Sequence, residues 1–420
     1  MRIVLAKSQF LGLISGADET LVTYATQLQR LGHEVSVLLL FPCPPQDGRY
    51  LRLKEAGVPV VTVAPAAARA TLEAGRSVAR RVIDALPRSN RLLRKRAHEI
   101  SLGLTFKYQQ RCAEALRDMR ADVIHVMTPD PGAMALIRAA HSAEVPILYQ
   151  ELGIPYHPPD FAFSYQEFTA VLPLCAEVAA LSPSLARQCR ERLPELKRLS
   201  VLPIIANDLR NGHPARNGGA EVNVGFAARI EHLKGPLTLL EAFAVARRAD
   251  ARLRLVVAGA GSLESKLRSR ALALGVAAHC EFVGLYTNAG QRKAFMERLD
   301  IFALPSLTEG TPNSIAEAMS FGVPVIASDV GGIPDTLTAQ SGVLVSPGDA
   351  AALADALLRV ARDAEERRRM GRAARERYET LFSPQAVLPT LLGVYRRVAG
   401  RGFAGGHAPG QDPHPWAQVS

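Results

Sequence analysis

The chain has few cysteines for its length and no paired-cysteine motif. Five of its 420 residues are cysteine, and no two form a Cys-x-x-Cys pair. An odd number of scattered cysteines argues against a disulfide framework and favours a reducing compartment. There is also no Asp-x-Asp pair and no His, Cys and carboxylate cluster with ligand spacing, so we expect neither a metal site nor a bound cofactor.

Long apolar runs and aromatic residues are scarce as well. No apolar stretch approaches the roughly 18 residues of a membrane-spanning helix. The N-terminus, MRIVLAKSQFLGLISGA, is only superficially like a signal peptide, because Lys7, Ser8 and Gln9 interrupt its apolar part. Aromatic residues make up 6% of the chain and are not interleaved with basic ones as a nucleic-acid stacking platform requires. We therefore expect a cytoplasmic protein that binds no nucleic acid.

What the chain has in excess is positive charge, unevenly placed. The net charge is +10, and residues 65–120 hold thirteen Lys/Arg against five Asp/Glu. This segment fits a solvated helical face, or alternatively a surface attracted to an anionic membrane or an acidic substrate. The membrane alternative would place the protein at the inner face of the membrane and favour a lipid-linked acceptor.

Short apolar strands alternate with helices along the chain. Strands made of nearly continuous apolar residues predict parallel sheets covered on both faces. The first strand is expected at 2–6, followed by a helix with Asp18 as its N-cap that ends near Leu31 and Gly32. The sequence thus predicts an α/β protein built from Rossmann-like units.

The alternation of strands and helices is interrupted once and then restarts. Residues 206–222 are polar and rich in Gly, Pro and Asn, which is typical of a linker. We predict an acceptor-side domain over 1–205 and a second domain over 223–383. A helix at about 384–400 is expected to pack back on the first domain, and 401–420 to be a disordered tail. Two such open sheets bind ligands at the carboxyl ends of their strands, across the cleft between them.

Three loops follow predicted strands, and two of them carry candidate binding residues. Gly16, in the Ser-Gly-Ala-Asp loop at 15–18, would allow a ligand close to the backbone, although turn glycines are common. Arg229 and Lys234, in GFAARIEHLKG, could neutralise a diphosphate, or could be two solvated surface cations. The third loop, GAGS at 259–262, is interpreted as structural.

The stretch EGTPNSIAEAM at 309–319 places one carboxylate before a helix start and another inside the helix. A helix beginning near Asn313 would direct free N–H groups at an anion. Glu309 and Glu317 are acceptors suited to sugar hydroxyls. One ligand that has both phosphates and hydroxylated rings would satisfy all these groups.

These motifs resemble the family 4 retaining glycosyltransferases of the GT-B fold. The resemblance is strongest over 223–349, and its most specific element is the Glu-x7-Glu signature formed by Glu309 and Glu317. Arg229 and Lys234 are similar to the family's phosphate-binding pair. The loop at 15–18 is similar to the family's Gly-Gly-Ala-Glu loop with two changes.

The resemblance implies a role for each matching residue. Glu317 would contact the ribose of a nucleotide-diphosphate sugar, and Glu309 its donor sugar. The donor loop, consisting of Gly310, Thr311, Pro312, Asn313 and Ser314, would hold the diphosphate and sugar. The implied reaction is metal-independent sugar transfer, with retention of configuration, to a glycan or lipid-linked acceptor in polysaccharide or glycolipid biosynthesis.

The sequence departs from the family pattern at two places. Leu152, preceded by Glu151, stands where many members have a histidine, so either Glu151 has an acceptor-side role or the acceptor is positioned differently. His157 is a weaker candidate, and His125 is assigned to core packing. The family's Asn-Gly-Val-Asp linker motif is replaced by residues 204–207, Ile-Ile-Ala-Asn, which is expected to alter contacts between the domains.

Two other functions are compatible with parts of the sequence. A catalytically silent nucleotide-sugar-binding partner subunit is suggested by Leu152 and by the altered loop at 15–18. A phosphorylase of similar architecture would need a lysine for its pyridoxal cofactor, and EGTPNSIAEAM contains none.

Overall fold

The chain is seen in a computed structural model that describes residues 1–10, 15–65, 67–68, 103, 106–153, 167–210, 220–286, 288–400 and 414–416. His157, most of the basic segment and the middle of the predicted linker lie outside the described residues.

Two parallel sheets organise these residues, as the sequence predicts. The strands, numbered in chain order, are β1 (Arg2–Lys7), β2 (Glu34–Leu39), β3 (Val60–Thr62), β4 (Val123–Met127), β5 (Ile147–Glu151), β6 (Glu177–Ala180), β7 (Leu199–Val201), β8 (Val222–Ala227), β9 (Leu253–Ala258), β10 (Cys280–Gly284), β11 (Ile301–Leu304), β12 (Val325–Ser328) and β13 (Gly342–Val345). The first sheet has the order β3-β2-β1-β4-β5-β6-β7 and the second β10-β9-β8-β11-β12-β13. We call the parts built on them the first lobe and the second lobe.

Helices connect and cover these strands. They are α1 (Gly16–Arg30), α2 (Gly48–Glu55), α3 (Gln109–Asp118), α4 (Pro131–Ser142), α5 (Pro183–Arg192), α6 (Pro236–Ala249), α7 (Glu264–Ala273), α8 (Ala289–Glu297), α9 (Asn313–Ser320), α10 (Ile333–Thr336), α11 (Ala350–Arg362), α12 (Ala364–Leu381) and α13 (Pro384–Val398). In each sheet the strand order reverses beside the first strand, β1 or β8, which places a binding crevice at its carboxyl end.

The last helix, α13, belongs to the core of the first lobe. Val387, Leu391 and Tyr395 are buried together with residues of β1, α1 and β2. The Tyr395 hydroxyl lies 2.9 Å from Nδ1 of His125, which is completely buried. Burial lowers the pKa of His125 to about 3, so this histidine is a neutral core residue, as predicted.

Helix α1 begins earlier than predicted, and Asp18 is not its N-cap. Ser15 is the cap, and its hydroxyl accepts a hydrogen bond from the Asp18 N–H at 3.3 Å. The Asp18 side chain is fully buried and pairs with Lys7 and with Arg49, the latter at 2.5 Å. A buried carboxylate needs cations beside it, and both come from outside the helix.

The prediction of a disordered tail is wrong for residues 414–416. Trp416 is buried and packs edge-on against Phe382, with ring centroids 5.7 Å apart. His414 Nε2 lies 3.0 Å from the Leu381 carbonyl oxygen. The tail lacks apolar periodicity, but its one tryptophan finds an apolar surface between α12 and α13.

The chain passes from one lobe to the other twice, first at residues 204–206 and again near residue 382, and the two crossings are adjacent. Ile204 packs in the core of the second lobe and Ile205 in that of the first, so the altered linker motif contacts both. The Ala206 N–H donates to the Phe382 carbonyl at 2.9 Å, which ties the first crossing to the second.

Candidate active site

A cavity of about 380 Å³ lies between the lobes at the carboxyl ends of the strands. The structure places every predicted site residue around it: Gly16, Arg229, Lys234, Glu309, Gly310, Thr311, Pro312, Asn313, Ser314 and Glu317. Residues far apart in the sequence, from Gly16 to Glu317, thus line one cavity. They come together because the carboxyl ends of the strands of both sheets face the cleft.

Glu309 and Lys234 are in direct contact. The Lys234 ammonium donates to Oε1 of Glu309 at 2.5 Å, and the Ser306 hydroxyl donates to the same oxygen at 2.8 Å. Gly235 positions the lysine, since its φ is 65° and a Cβ there would meet the Pro305 carbonyl oxygen at 2.0 Å. Because Lys234 lines the cavity, its ammonium can contact an anion there as well as Glu309.

Arg229 is placed differently. It follows β8, lines the cavity and has an exposed side chain. It forms no ion pair with any residue that the structure describes, so its guanidinium remains available to an incoming anion.

The start of helix α9 faces the cavity. Pro312 is the N-cap and offers no side-chain hydrogen bond to the first turn. The Thr311 hydroxyl is buried and has no partner in the described part of the chain. Together with the dipole of the helix, these groups form a site suited to phosphate oxygens.

Glu317 lies one turn into α9 and is nine-tenths buried. Burial raises the pKa of its carboxyl group, and the positive charge of Arg292 acts in the opposite direction. Oε1 of Glu317 accepts a hydrogen bond from Arg292 at 2.9 Å. This arginine, in α8, is the partner for which the sequence offered no signal.

Arg292 also reaches the first lobe. Its guanidinium lies 3.2 Å from Oε2 of Glu19 in α1, and Arg52 of α2 lies 2.9 Å from the same carboxylate. Burial alone would raise the pKa of Glu19, but Arg292 and Arg52 together outweigh it and leave the pKa below its ordinary value. The resulting row of alternating charges, Arg52–Glu19–Arg292–Glu317, crosses the cleft.

The backbones of the two lobes also approach each other closely. The Asn313 side-chain amide donates to the Gly16 carbonyl oxygen at 2.8 Å. A Cβ on Gly310 would lie 2.8 Å from the Leu152 carbonyl oxygen. Glycine at both positions lets the donor loop of the second lobe meet the first lobe without a clash.

Glu151 does not replace the expected histidine at the cavity wall. It is buried, and its carboxyl group accepts hydrogen bonds from the Tyr149 hydroxyl at 2.9 Å and the Gly153 N–H at 3.0 Å. Burial raises its pKa to about 7. Leu152 lines the cavity, whereas Glu151 is not among its lining residues.

The described residues lack two features that other functions would require. No three His, Cys, Asp or Glu side chains among them are grouped so as to hold a metal ion. None of the helices in that part of the chain combines the length and apolar character that a membrane span requires.

Comparison with known families agrees with this architecture. Residues 15–205 match a model described as the glycosyl transferase 4-like domain, and residues 216–377 match the glycosyl transferases group 1. One match falls on each lobe, and the second includes Arg229, Lys234, Glu309 and Glu317.

Individual relatives match over part of their length. The amylovoran biosynthesis glycosyltransferase AmsK of Erwinia amylovora is 32% identical over 179 residues, covering 41% of this chain and 44% of that protein. The D-inositol 3-phosphate glycosyltransferase of Saccharomonospora viridis is 36% identical over 211 residues, covering 46% and 48%. The match thus spans less than half the length of these relatives.

Among solved structures, the Anabaena protein HepE in complex with UDP and glucose has a TM-score of 0.67 and 18% identity, and covers 93% of this chain and 98% of that one. This similarity extends over both lobes and supports the fold. The chain belongs to the group 1, family 4-like glycosyltransferases and has the GT-B fold.

Proposed function

We propose that this protein is a retaining glycosyltransferase that moves a sugar from a nucleotide-diphosphate sugar to an acceptor hydroxyl. The observation that carries the proposal is the convergence of Glu309, Glu317, Lys234, Arg229 and the start of α9 on one interlobe cavity. The complex of HepE with UDP and glucose supports a donor of this class for a protein of the same fold.

The cavity has the charge distribution that such a donor requires. Lys234, Arg229 and the start of α9 would neutralise the diphosphate, while the two carboxylates would accept hydrogen bonds from sugar and ribose hydroxyls. Because these groups supply positive charge without an ion, we expect transfer to continue in the presence of EDTA.

In the proposed step, the acceptor oxygen attacks the anomeric carbon from the face that the leaving phosphate occupies. The bond between the anomeric carbon and the phosphate oxygen breaks, and that oxygen receives the proton of the acceptor hydroxyl. Fixed positive charge at the departing diphosphate lowers the barrier, an effect typically worth several kcal/mol. NMR of the product should show the donor's anomeric configuration, and the opposite anomer would exclude this mechanism.

The acceptor belongs to the first lobe, and the name of AmsK suggests polysaccharide biosynthesis. We infer that this lobe contacts an anionic membrane surface as a peripheral protein. Lys107, Arg111, Arg117 and Arg120 are exposed on or beside α3, which supports the inference. Co-sedimentation with anionic vesicles should decrease as salt rises, whereas salt-independent binding would contradict an electrostatic contact.

The experiment that tests the function is a thermal-shift screen of UDP-, GDP- and ADP-sugars, followed by a transfer assay. A bound donor raises the melting temperature by mass action. We expect one nucleotide series to bind and its sugar to be transferred or hydrolysed.

A silent nucleotide-sugar-binding subunit is the second candidate, because Leu152 lines the cavity where the resemblance implies a histidine. Binding of a donor without transfer or hydrolysis would favour that function.

A further inference from the structure

Arg292 is a partly buried cation shared between two carboxylates of different lobes. One terminal nitrogen lies 2.9 Å from Glu317 and the other 3.2 Å from Glu19, and 18% of its side chain is exposed. Its guanidinium also lies 5.4 Å from the ring centre of Tyr286. Two carboxylates and an aromatic ring thus fix this side chain in one orientation.

The contact leaves half of the Glu317 carboxylate free. Arg292 bonds to Oε1, while Oε2 has no hydrogen-bond partner among the described residues. An ionised carboxylate held by one oxygen can accept a ligand hydroxyl with the other. A protonated or displaced carboxyl group would lose part of that capacity.

Arg292 also opposes protonation of Glu317. Burial raises the pKa of Glu317 and Glu19 raises it further, whereas Arg292 and the more distant Arg52 lower it. Tyr286, the other titratable group beside the pair, is half-buried against the core of the second lobe, and burial raises its pKa, so it stays neutral. Removal of Arg292 would therefore leave a buried carboxyl group that binds a proton more readily.

We propose that Arg292 is a positioning residue that holds the Glu317 carboxylate in place, so that the site distinguishes a ribose from a deoxyribose. The proposal rests on the proposed function, in which Glu317 contacts the nucleotide ribose. Arg292 itself need not touch the nucleotide. Glu19 orients the guanidinium from the first lobe, so the arrangement is complete only when the lobes are together.

The alternative is that Arg292 only braces the two lobes. A brace would affect stability and the affinity for all nucleotides alike, but not the preference for one sugar over another. The ratio of affinities for a ribonucleotide and its 2′-deoxy counterpart therefore separates the two roles.

The test measures the binding of UDP, GDP and ADP, each beside its 2′-deoxy form, to the full chain by calorimetry. For the nucleotide that binds, we expect the wild-type protein to prefer the ribonucleotide by about tenfold or more, as for a hydrogen bond to a charged group. Arg292→Met should reduce this preference to below about threefold. Its ribonucleotide affinity should also fall more steeply than that of the wild type as pH decreases from 8 to 6, because Glu317 then takes up a proton.

The matched control is Arg298→Met. Arg298 lies just after α8 and pairs with Glu281 on the surface, so its loss should leave the preference unchanged. Arg292→Lys keeps the charge and should restore part of the preference. If Arg292→Met does not fold, Arg292→Gln carries the same prediction.

Retention of the full preference in Arg292→Met would overturn this inference and leave the proposed function intact. Failure of the wild-type protein to bind any of the three nucleotides would overturn both.

Discussion

Replacing Lys234 by methionine tests whether this residue stabilises the negative charge of the departing diphosphate. Lys234 lines the cavity together with Arg229 and Arg292, and its ammonium lies 2.5 Å from Oε1 of Glu309. Loss of one preorganised charge partner typically lowers a rate by about 10²–10³-fold, which corresponds to about 3–4 kcal/mol at the transition state.

Binding of the nucleotide should suffer less than the rate. Arg229 and the start of α9 remain in Lys234→Met and would still contact the diphosphate, so we expect an affinity loss of about tenfold or less. Glu309 loses its cation as well but keeps the Ser306 hydroxyl at 2.8 Å. The prediction is therefore a large decrease in kcat with a modest increase in the dissociation constant for the nucleoside diphosphate.

The assay determines kcat from sugar transfer under saturating donor, and nucleotide binding by calorimetry. The control is Lys293→Met, which removes a lysine from the exposed i,i+4 pair with Glu297 and should change neither quantity. A kcat for Lys234→Met within threefold of the wild-type value would refute the role assigned to this residue.

Three further substitutions have defined outcomes. Glu309→Gln should lower kcat by about 10²-fold with little change in nucleotide affinity, and equal losses in calorimetry and transfer would contradict a role at the donor sugar. Because burial raises the pKa of Glu151 to about 7 from 4.5, the folded state holds this proton more tightly than the unfolded state. The free energy of unfolding should therefore decrease by up to about 3 kcal/mol as pH rises from about 4 to about 8, and urea unfolding of Glu151→Gln should lack this component. Gly310→Ala places a methyl group 2.8 Å from the Leu152 carbonyl oxygen, so both melting temperature and transfer should decrease, and unchanged values would show that the lobes are not so close in solution.

Local sequence was sufficient for much of the fold and for the cavity lining. The alternation of apolar strands and helices predicted both parallel sheets, because each pattern depends only on neighbouring residues. EGTPNSIAEAM predicted the start of α9 at Asn313, and the strand-end positions of Arg229 and Lys234 brought them to the same cleft.

What the sequence did not predict depends on contacts between distant segments. Arg292 lies 25 residues before Glu317 in another helix, and Glu19 lies in the other lobe, so no local spacing connects them. The same applies to Asp18, whose burial against Lys7 and Arg49 left the capping role to Ser15. Such partners are fixed by how the elements pack, which periodicity alone does not specify.

The most direct test of the central claim is a crystal structure of the chain with the nucleoside diphosphate that raises its melting temperature. The account predicts diphosphate oxygens within hydrogen-bonding distance of Lys234 and of the N–H groups that begin α9, with the ribose hydroxyls on Glu317. A nucleotide bound outside the interlobe cavity, or bound within it with its ribose directed away from Glu317, would contradict the account.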